Sequence, residues 1–135
     1  MAKVKKILHM GLAPKDVKKA LSFWSKHLGL KLTHEEQVKS DQVKTYFLPL
    51  GETQVEILEA TSNESPIYKF LQKKGAGIHH LCLEVENLDG LLKDLKKDGV
   101  RLIDDKPRTG AHGCRIAFVH PESTGGILLE LAEKY

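Results

Sequence analysis

The chain repeats one order of strand and helix signals at a spacing of 71 residues. His80 follows His9 by 71 positions, and each histidine lies in an apolar segment of strand-forming residues. The apolar helix positions keep the same spacing between the copies: Val17 and Leu88, Ala20 and Leu91, Leu21 and Leu92, Trp24 and Leu95. Near the end of each copy, Glu130 follows Glu56 by 74 positions, within the similar segments LELAE and VEILE. A repeat of this kind decides the architecture, so candidate sites are interpreted within it.

Each copy is predicted to hold a strand, a helix and three further strands. In the first copy we predict a helix from the cap Asp16 to the stop Gly29, a polar segment without periodicity at 34–42, and strands at 7–13, 30–33, 43–50 and 53–59. In the second copy we predict a helix from the cap Asn87 to Gly99, a loop at 104–113, and strands at 78–85, 100–103, 114–119 and 126–132. Between the copies, Ser65, Pro66 and Gly75 mark a short connecting helix.

Either copy alone would leave one sheet edge and one sheet face uncovered, and pairing the copies would bury both. We therefore predict an α+β fold of tandem βαβββ modules that form a curved mixed sheet. The predicted organisation is a single domain over 1–135, with repeats at about 5–60 and 77–134 and a helical connector at 61–76.

Strand alternation assigns the two adjacent histidines to opposite faces. His80 shares its face with Cys82 and Glu84. The face of His79 carries the apolar residues that pack under a helix: Leu81, Leu83 and Val85. His79 is therefore predicted to lie on the helix-covered face and not to bind a metal.

Four candidate metal ligands occupy equivalent places in the two copies: His9, Glu56, His80 and Glu130. Apart from His79, the strand neighbours of these residues are apolar and belong to the helix-covered face, so the four side chains are predicted to share the opposite face. A buried carboxylate costs free energy unless it is paired or binds a cation. Two imidazoles and two carboxylates favour Co, Ni, Mn, Fe or Zn over Ca. The alternative is that both glutamates face water on edge strands and both histidines are hydrogen-bonded spacers.

The composition is that of an ordinary globular protein and excludes several classes of partner. The net charge is +3, and the lysines are spread without the basic stripe or interleaved aromatic residues of a nucleic-acid-binding surface. No apolar run reaches the roughly 18 residues that a membrane-spanning helix requires. The N-terminal segment has no long apolar core or small-residue cleavage site, so we predict no signal peptide. Cys82 and Cys114 form no disulfide framework, which favours a reducing cytoplasm.

Four segments carry a resemblance to a known family: GIHHLCLEV at 77–85, SPIYKFLQKKG at 65–75, RTGAHG at 108–113 and FVHPESTGGILLEL at 118–131. With the βαβββ tandem, they make the chain similar to the vicinal-oxygen-chelate superfamily (glyoxalase, bleomycin resistance protein and dioxygenase). Within that superfamily the chain resembles the methylmalonyl-CoA epimerase family over nearly its whole length.

The resemblance implies a metal-binding cavity with a divalent cation, often cobalt, held by His9, Glu56, His80 and Glu130. It implies inversion at the α-carbon of (2R)- and (2S)-methylmalonyl-CoA through an enolate, and usually a homodimer. In this reading Glu130 is a catalytic base, and Glu56 is a ligand, a second base, or both.

The chain departs from the family at two positions. Several epimerases have a second glutamate base where this chain has Thr45, and a glutamine where it has Glu56. Glyoxalase I enzymes use two histidines and two glutamates, so isomerisation of a hemithioacetal is the alternative function. A metal-free ligand-binding member of the same fold is the third hypothesis.

Candidate substrate contacts come from three places. His112, in the GAHG loop, could contact the substrate; a surface loop histidine without that role is the alternative. Arg108 or Arg115 could pair with the substrate carboxylate. Lys69, Lys73 and Lys74 follow the Ser65 cap and could meet the phosphates of coenzyme A; a solvated helix face is the alternative for them.

Overall fold

Each copy of the sequence repeat forms a mixed four-stranded sheet with helices packed on it. The computed structural model describes residues 3–135. Two compact units are present: residues 9–79, and residues 80–135 together with the N-terminal residues up to Leu8. We call them the first and the second module.

The strands of the first module follow the order β2-β3-β4-β1. Their bounds are β1 Lys3–Ala13, β2 His34–Val38, β3 Val43–Leu50 and β4 Thr53–Ala60. The residues of β1 up to Leu8 belong to the second module. β2 and β4 each pair antiparallel with β3, and β4 pairs parallel with β1. The turn between β3 and β4 falls at Gly51, whose positive φ of 61° suits a residue without a side chain.

Two helices cover the first sheet. The helix α1, Val17–Leu21, continues as a π-helical segment, Ser22–His27, and Asp16 caps it by accepting from the amide of Lys19. Its apolar residues pack on Met10, Leu12, Val55 and Ile57. The helix α2, Pro66–Lys74, begins after the Ser65 cap and packs on the other face through Ile67.

The strands of the second module follow the order β5-β8-β7-β6. Their bounds are β5 Gly77–Glu86, β6 Arg108–Thr109, β7 Arg115–Val119 and β8 Leu129–Glu133. β5 and β8 are parallel, and the other two pairs are antiparallel. The helix α3, Leu88–Lys97, is capped by Asn87 and buries Leu88 and Leu92 against the sheet. A single turn, α4 Pro121–Thr124, lies between β7 and β8.

The structure confirms the α+β fold class and, in each module, a first strand followed by a helix and three further strands. In the second module one of these strands, β6, lies inside the predicted loop at 104–113, and the sequence did not predict the turn α4. The predicted strand at 30–33 is wrong: the strand begins at His34, inside the segment interpreted as polar. As an edge strand with most of its side chains in solvent, β2 lacks the hydrophobic alternation that identifies a strand. The predicted strand at 100–103 is reduced to one bridge between Leu102 and Val119. Within residues 3–135, no helix is long and apolar enough to cross a membrane.

Leu92 provides a test of the packing under α3. Its side chain is 2% exposed, and replacing it with alanine leaves a cavity in the core of the second module. We expect Leu92→Ala to lower the free energy of unfolding by about 2–5 kcal/mol. The control Lys97→Ala, on the exposed side of the same helix, should change it by less than about 0.5 kcal/mol. Denaturant unfolding measures both, and equal effects would contradict the assigned helix face.

Candidate metal centre

The first module holds a buried histidine–glutamate pair. Gly11 of β1 pairs with Glu56 of β4, and His9 is two residues before Gly11, so the side chains of His9 and Glu56 project from one face. The Nδ1 atom of His9 lies 3.0 Å from a carboxylate oxygen of Glu56. Both residues are buried, at 8% and 6% exposure.

The second module holds the equivalent pair. Cys82 of β5 pairs with Glu130 of β8, and His80 is two residues before Cys82. The Nε2 atom of His80 lies 3.0 Å from a carboxylate oxygen of Glu130, and both residues are buried. The repeat in the sequence is therefore a repeat of side-chain geometry.

The 3.0 Å spacing fits two ligands of one cation. Ligand atoms at about 2.1 Å from a divalent transition metal, at a right angle to each other, are about 3.0 Å apart. A carboxylate this buried requires a compensating positive charge or hydrogen bonds, and a protonated imidazole or a metal ion would both supply it. The donor set in each module, one imidazole nitrogen and one carboxylate oxygen, suits Co, Ni, Mn, Fe or Zn.

An aromatic residue lies beside each glutamate, which the sequence interpretation missed. Phe47 of β3 pairs with Glu56, and Phe118 of β7 pairs with Glu130. The two phenylalanines are also 71 positions apart, so the repeat spacing carried the signal. Phe118 contacts the ring of His80 edge-on, with 5.7 Å between centroids, and so restricts the orientation of the imidazole.

The remaining residues on the face of His80 have other roles. The Cys82 side chain is fully buried with Ile116 and Ala132. Glu84 is also buried, and its carboxylate oxygens lie 3.3 Å from the ammonium of Lys5 and 3.6 Å from that of Lys134. The two lysine ammonium groups thus compensate the negative charge of the buried Glu84 carboxylate.

His79 takes part in neither pair. Its half-buried ring contacts Phe70 of α2 edge-on, with 5.0 Å between centroids.

Comparisons with known proteins identify the family. Residues 8–118 match the family model of the Glyoxalase/Bleomycin resistance protein/Dioxygenase superfamily. The chain belongs to this superfamily. It is 38% identical over 132 residues to the mitochondrial methylmalonyl-CoA epimerase of Mus musculus, covering 97% of this chain and 74% of the mouse protein.

Solved structures agree with the superfamily fold over almost the entire chain. A methylmalonyl-CoA epimerase from Mycobacterium tuberculosis has a TM-score of 0.91 and 34% identity, covering 98% of this chain and 89% of that one. A methylmalonyl-CoA epimerase in complex with methylmalonyl-CoA and NH4+ has a TM-score of 0.92 and 30% identity, covering 98% and 96%. The resemblance found in the sequence is thereby confirmed.

Arg108 and Arg115 are the two candidates to pair with the substrate carboxylate, and Arg108 is the one that lies on the face of Glu130. Strand pairing puts Arg108 beside Ile116 and Ile116 beside Ala132, on the face that carries Glu130. Its Nε lies 3.0 Å from an oxygen of Asp104, and its guanidinium stacks over the ring of Phe118 at 5.6 Å.

Arg115 projects from the opposite face and is committed to α3. Its guanidinium donates to both oxygens of Asp89, at 2.8 and 3.1 Å, and to Glu133. The hydrogen bond from Arg115 lowers the pKa of the Asp89 carboxyl, and the same bond raises the pKa of Arg115. This ion pair joins a helix to a strand, so Arg115 is the weaker candidate for the substrate carboxylate.

Three other predicted residues lie as follows. His112 is exposed in the turn Ala111–Gly113, with a positive φ of 58°. Lys69 is exposed on α2. Thr45 is buried on the face of Glu56, where its hydroxyl provides no ionisable group.

The predicted ligands can be tested by metal binding. We expect equilibrium dialysis with Co²⁺ to give one ion per chain. His9→Ala and His80→Ala should each lower the affinity at least tenfold, because alanine offers no ligand atom in place of the imidazole. His79→Ala should leave binding nearly unchanged, since the His79 ring contacts Phe70. Loss of binding in His79→Ala with retention in His80→Ala would mean that the strand register is wrong by one residue.

Proposed function

We propose that this chain catalyses the metal-dependent epimerisation of (2R)- and (2S)-methylmalonyl-CoA through an enolate. The observation that carries the proposal is the pair of buried histidine–glutamate contacts at equivalent places in the two modules. The names of the relatives and the bound methylmalonyl-CoA in a solved neighbour support this substrate.

The proposed ligands of one divalent cation are His9, Glu56, His80 and Glu130. Cobalt is the first candidate, with Mn, Ni, Zn and Fe as the others, because mixed imidazole and carboxylate sets accept all of them. The bound cation would supply Lewis-acid stabilisation of the negative charge that develops on the substrate oxygens.

Glu130 and Glu56 are the proposed catalytic residues. Glu130 accepts the α-proton of the substrate, and the electron pair of the broken C–H bond passes into the enolate. Return of a proton to the opposite face of the α-carbon gives the other epimer. Glu56 is proposed as a ligand, a second base, or both. Coordination weakens a base, so either carboxylate, Glu130 or Glu56, would have to be loosely held by the cation or leave it in order to accept a proton.

Three side chains are proposed to bind the remainder of the substrate. Arg108 pairs with the free carboxylate of the methylmalonyl group, since a guanidinium fits a carboxylate through two hydrogen bonds. His112 contacts the acyl portion, and Lys69 contacts a phosphate of coenzyme A. Their partial or full exposure supports access from solvent.

The proposal also covers organisation and location. We propose that the two modules, with their helical connector, work as one domain over residues 1–135. Each module supplies one histidine–glutamate pair, and the proposed cation needs both pairs. A homodimer follows from the family resemblance. The two free cysteines, Cys82 and Cys114, support a reducing cytoplasm as the location.

Deuterium exchange tests the proposed function. The purified chain is incubated with Co²⁺ and (2R)-methylmalonyl-CoA in D₂O, and mass spectrometry follows the α-position while a stereospecific assay follows inversion. We expect incorporation of one deuterium together with appearance of the (2S) epimer, both abolished by a chelator and restored by Co²⁺. Absence of both, with turnover of the hemithioacetal of glutathione instead, would support the glyoxalase reaction and refute the epimerase.

Glu130→Gln separates metal binding from proton transfer. An amide oxygen can still coordinate, so we expect much of the bound Co²⁺ to remain, whereas an amide cannot accept the α-proton. Epimerisation should fall by at least about 10²–10⁴-fold, the usual contribution of a general base. The matched control Glu133→Gln changes the next glutamate along β8, on the opposite face, and should leave epimerisation within a few fold. Retained activity in Glu130→Gln would refute its role as base.

A further inference from the structure

Inversion requires that a proton leaves one side of the substrate carbon and that a proton returns on the other side, which two proton-transfer groups can achieve. In the first module, strand pairing places His34, Phe47 and Glu56 in one row across β2, β3 and β4. Glu36 and Thr45 lie in the next row, and both project from the same face as Glu56. His34 and Glu36 are therefore ionisable side chains on the face of the proposed ligand.

The other glutamates of these strands project from the opposite face. Glu35 pairs with Lys44, at 3.1 Å between its carboxylate and the ammonium. Glu59 accepts a hydrogen bond from the hydroxyl of Tyr46 at 2.7 Å. Apart from Glu56 itself, the described residues of β2, β3 and β4 thus offer Glu36 as the carboxylate on the ligand face.

His34 and Glu36 form a dyad whose geometry is that of an oriented base. The Nε2 atom of His34 lies 3.4 Å from Oε1 of Glu36. The imidazole stacks on the ring of Phe47 at 5.3 Å between centroids and 26° between planes. A base held by a carboxylate on one side and by packing on the other is the arrangement that proton-transfer sites use. The His34 side chain is 49% exposed, so its protons exchange readily with water.

Distance across the sheet also favours His34. Its strand is two strands from that of Glu56, about 10 Å at the usual spacing between strands. A substrate bound beside Glu56 would lie in this gap, over the ring of Phe47. The side chain of Thr45, in the neighbouring row, carries a hydroxyl and no ionisable group.

We propose that His34, positioned by Glu36 and Phe47, is the second proton-transfer group of the reaction. The inference rests on the proposed epimerase function. In one direction Glu130 takes the α-proton, the C–H electron pair enters the enolate, and the imidazolium of His34 gives a proton to the other side of the carbon. A new C–H bond forms, His34 becomes neutral, and exchange with water restores both groups. Glu36 stabilises the imidazolium and does not itself transfer the proton.

His34→Gln tests the proposal in the D₂O assay with Co²⁺ and each methylmalonyl-CoA epimer. We expect inversion to fall by about 10²–10⁴-fold, as for loss of a general acid or base. Glu130 remains, so deuterium should still enter one epimer within a few fold of the wild-type rate, without inversion. Inversion near the wild-type rate would overturn the proposal, as would loss of exchange in both epimers with Co²⁺ still bound.

Glu36→Gln provides a second variant with a separate readout. Because Glu36 acts through His34, we expect kcat for inversion to fall at least tenfold while KM and bound Co²⁺ stay unchanged. A rise in KM with unchanged kcat would indicate substrate binding and refute the positioning role. The matched control Glu35→Gln alters the adjacent carboxylate on the opposite face, and His27→Gln alters an exposed histidine of the α1 segment. Both controls should invert the substrate at the wild-type rate.

Glu56→Gln distinguishes His34 from the competing second base. We expect this variant, once loaded with Co²⁺, to retain inversion; its loss with exchange retained in one epimer would assign the second transfer to Glu56. A wild-type chain that neither exchanges nor inverts the substrate refutes the proposed function. A wild type that inverts, with a His34→Gln variant that also does, refutes only the role of His34.

Discussion

The burial of one carboxylate beside one imidazole in each module is the constraint on which the site depends. A glutamate at this depth is unfavourable without a nearby positive charge or hydrogen bonds. The strand pairings meet this requirement twice with the same local rule: the glutamate lies opposite the second residue after the histidine. The apolar neighbours of the two glutamates pack under α1 and α3, so these two helices on one face and the polar pairs on the other arise from one alternation.

The two modules keep this pair and differ around it. The phenylalanine beside each glutamate is retained, as Phe47 and Phe118, and provides an apolar wall. Further along the same rows the first module carries His34 and Glu36, whereas the second carries Arg108. The duplicated unit thus carries the same histidine–glutamate pair in both copies but different polar groups beside it: an imidazole with a carboxylate in the first copy and a guanidinium in the second. The proposed roles of His34 and Arg108 follow from this difference.

Membership of the superfamily establishes the fold, and the side chains of the site determine the chemistry. Thr45 is important in this respect, because a buried hydroxyl occupies the place where the family resemblance expects a base. The nearest ionisable groups on that face belong to β2, an edge strand. A side chain on an edge strand stays open to solvent, and the proposed role of His34 requires this, because such a group must regain or lose a proton in every cycle.

The sequence by itself determined the repeat, the helices with their caps, and the face of each candidate ligand, since all of these follow from local periodicity and from capping residues such as Asp16 and Asn87. It did not locate β2, whose exposed side chains give no hydrophobic alternation, and it did not choose between Arg108 and Arg115. Tertiary structure decided the surroundings of each: Arg108 contacts Asp104 and Phe118, whereas Arg115 is bound to Asp89 of α3. The physical reason is that alternation fixes only the relative faces within one strand. Which residues of distant strands lie side by side depends on register, and register is set by the packing of the entire sheet.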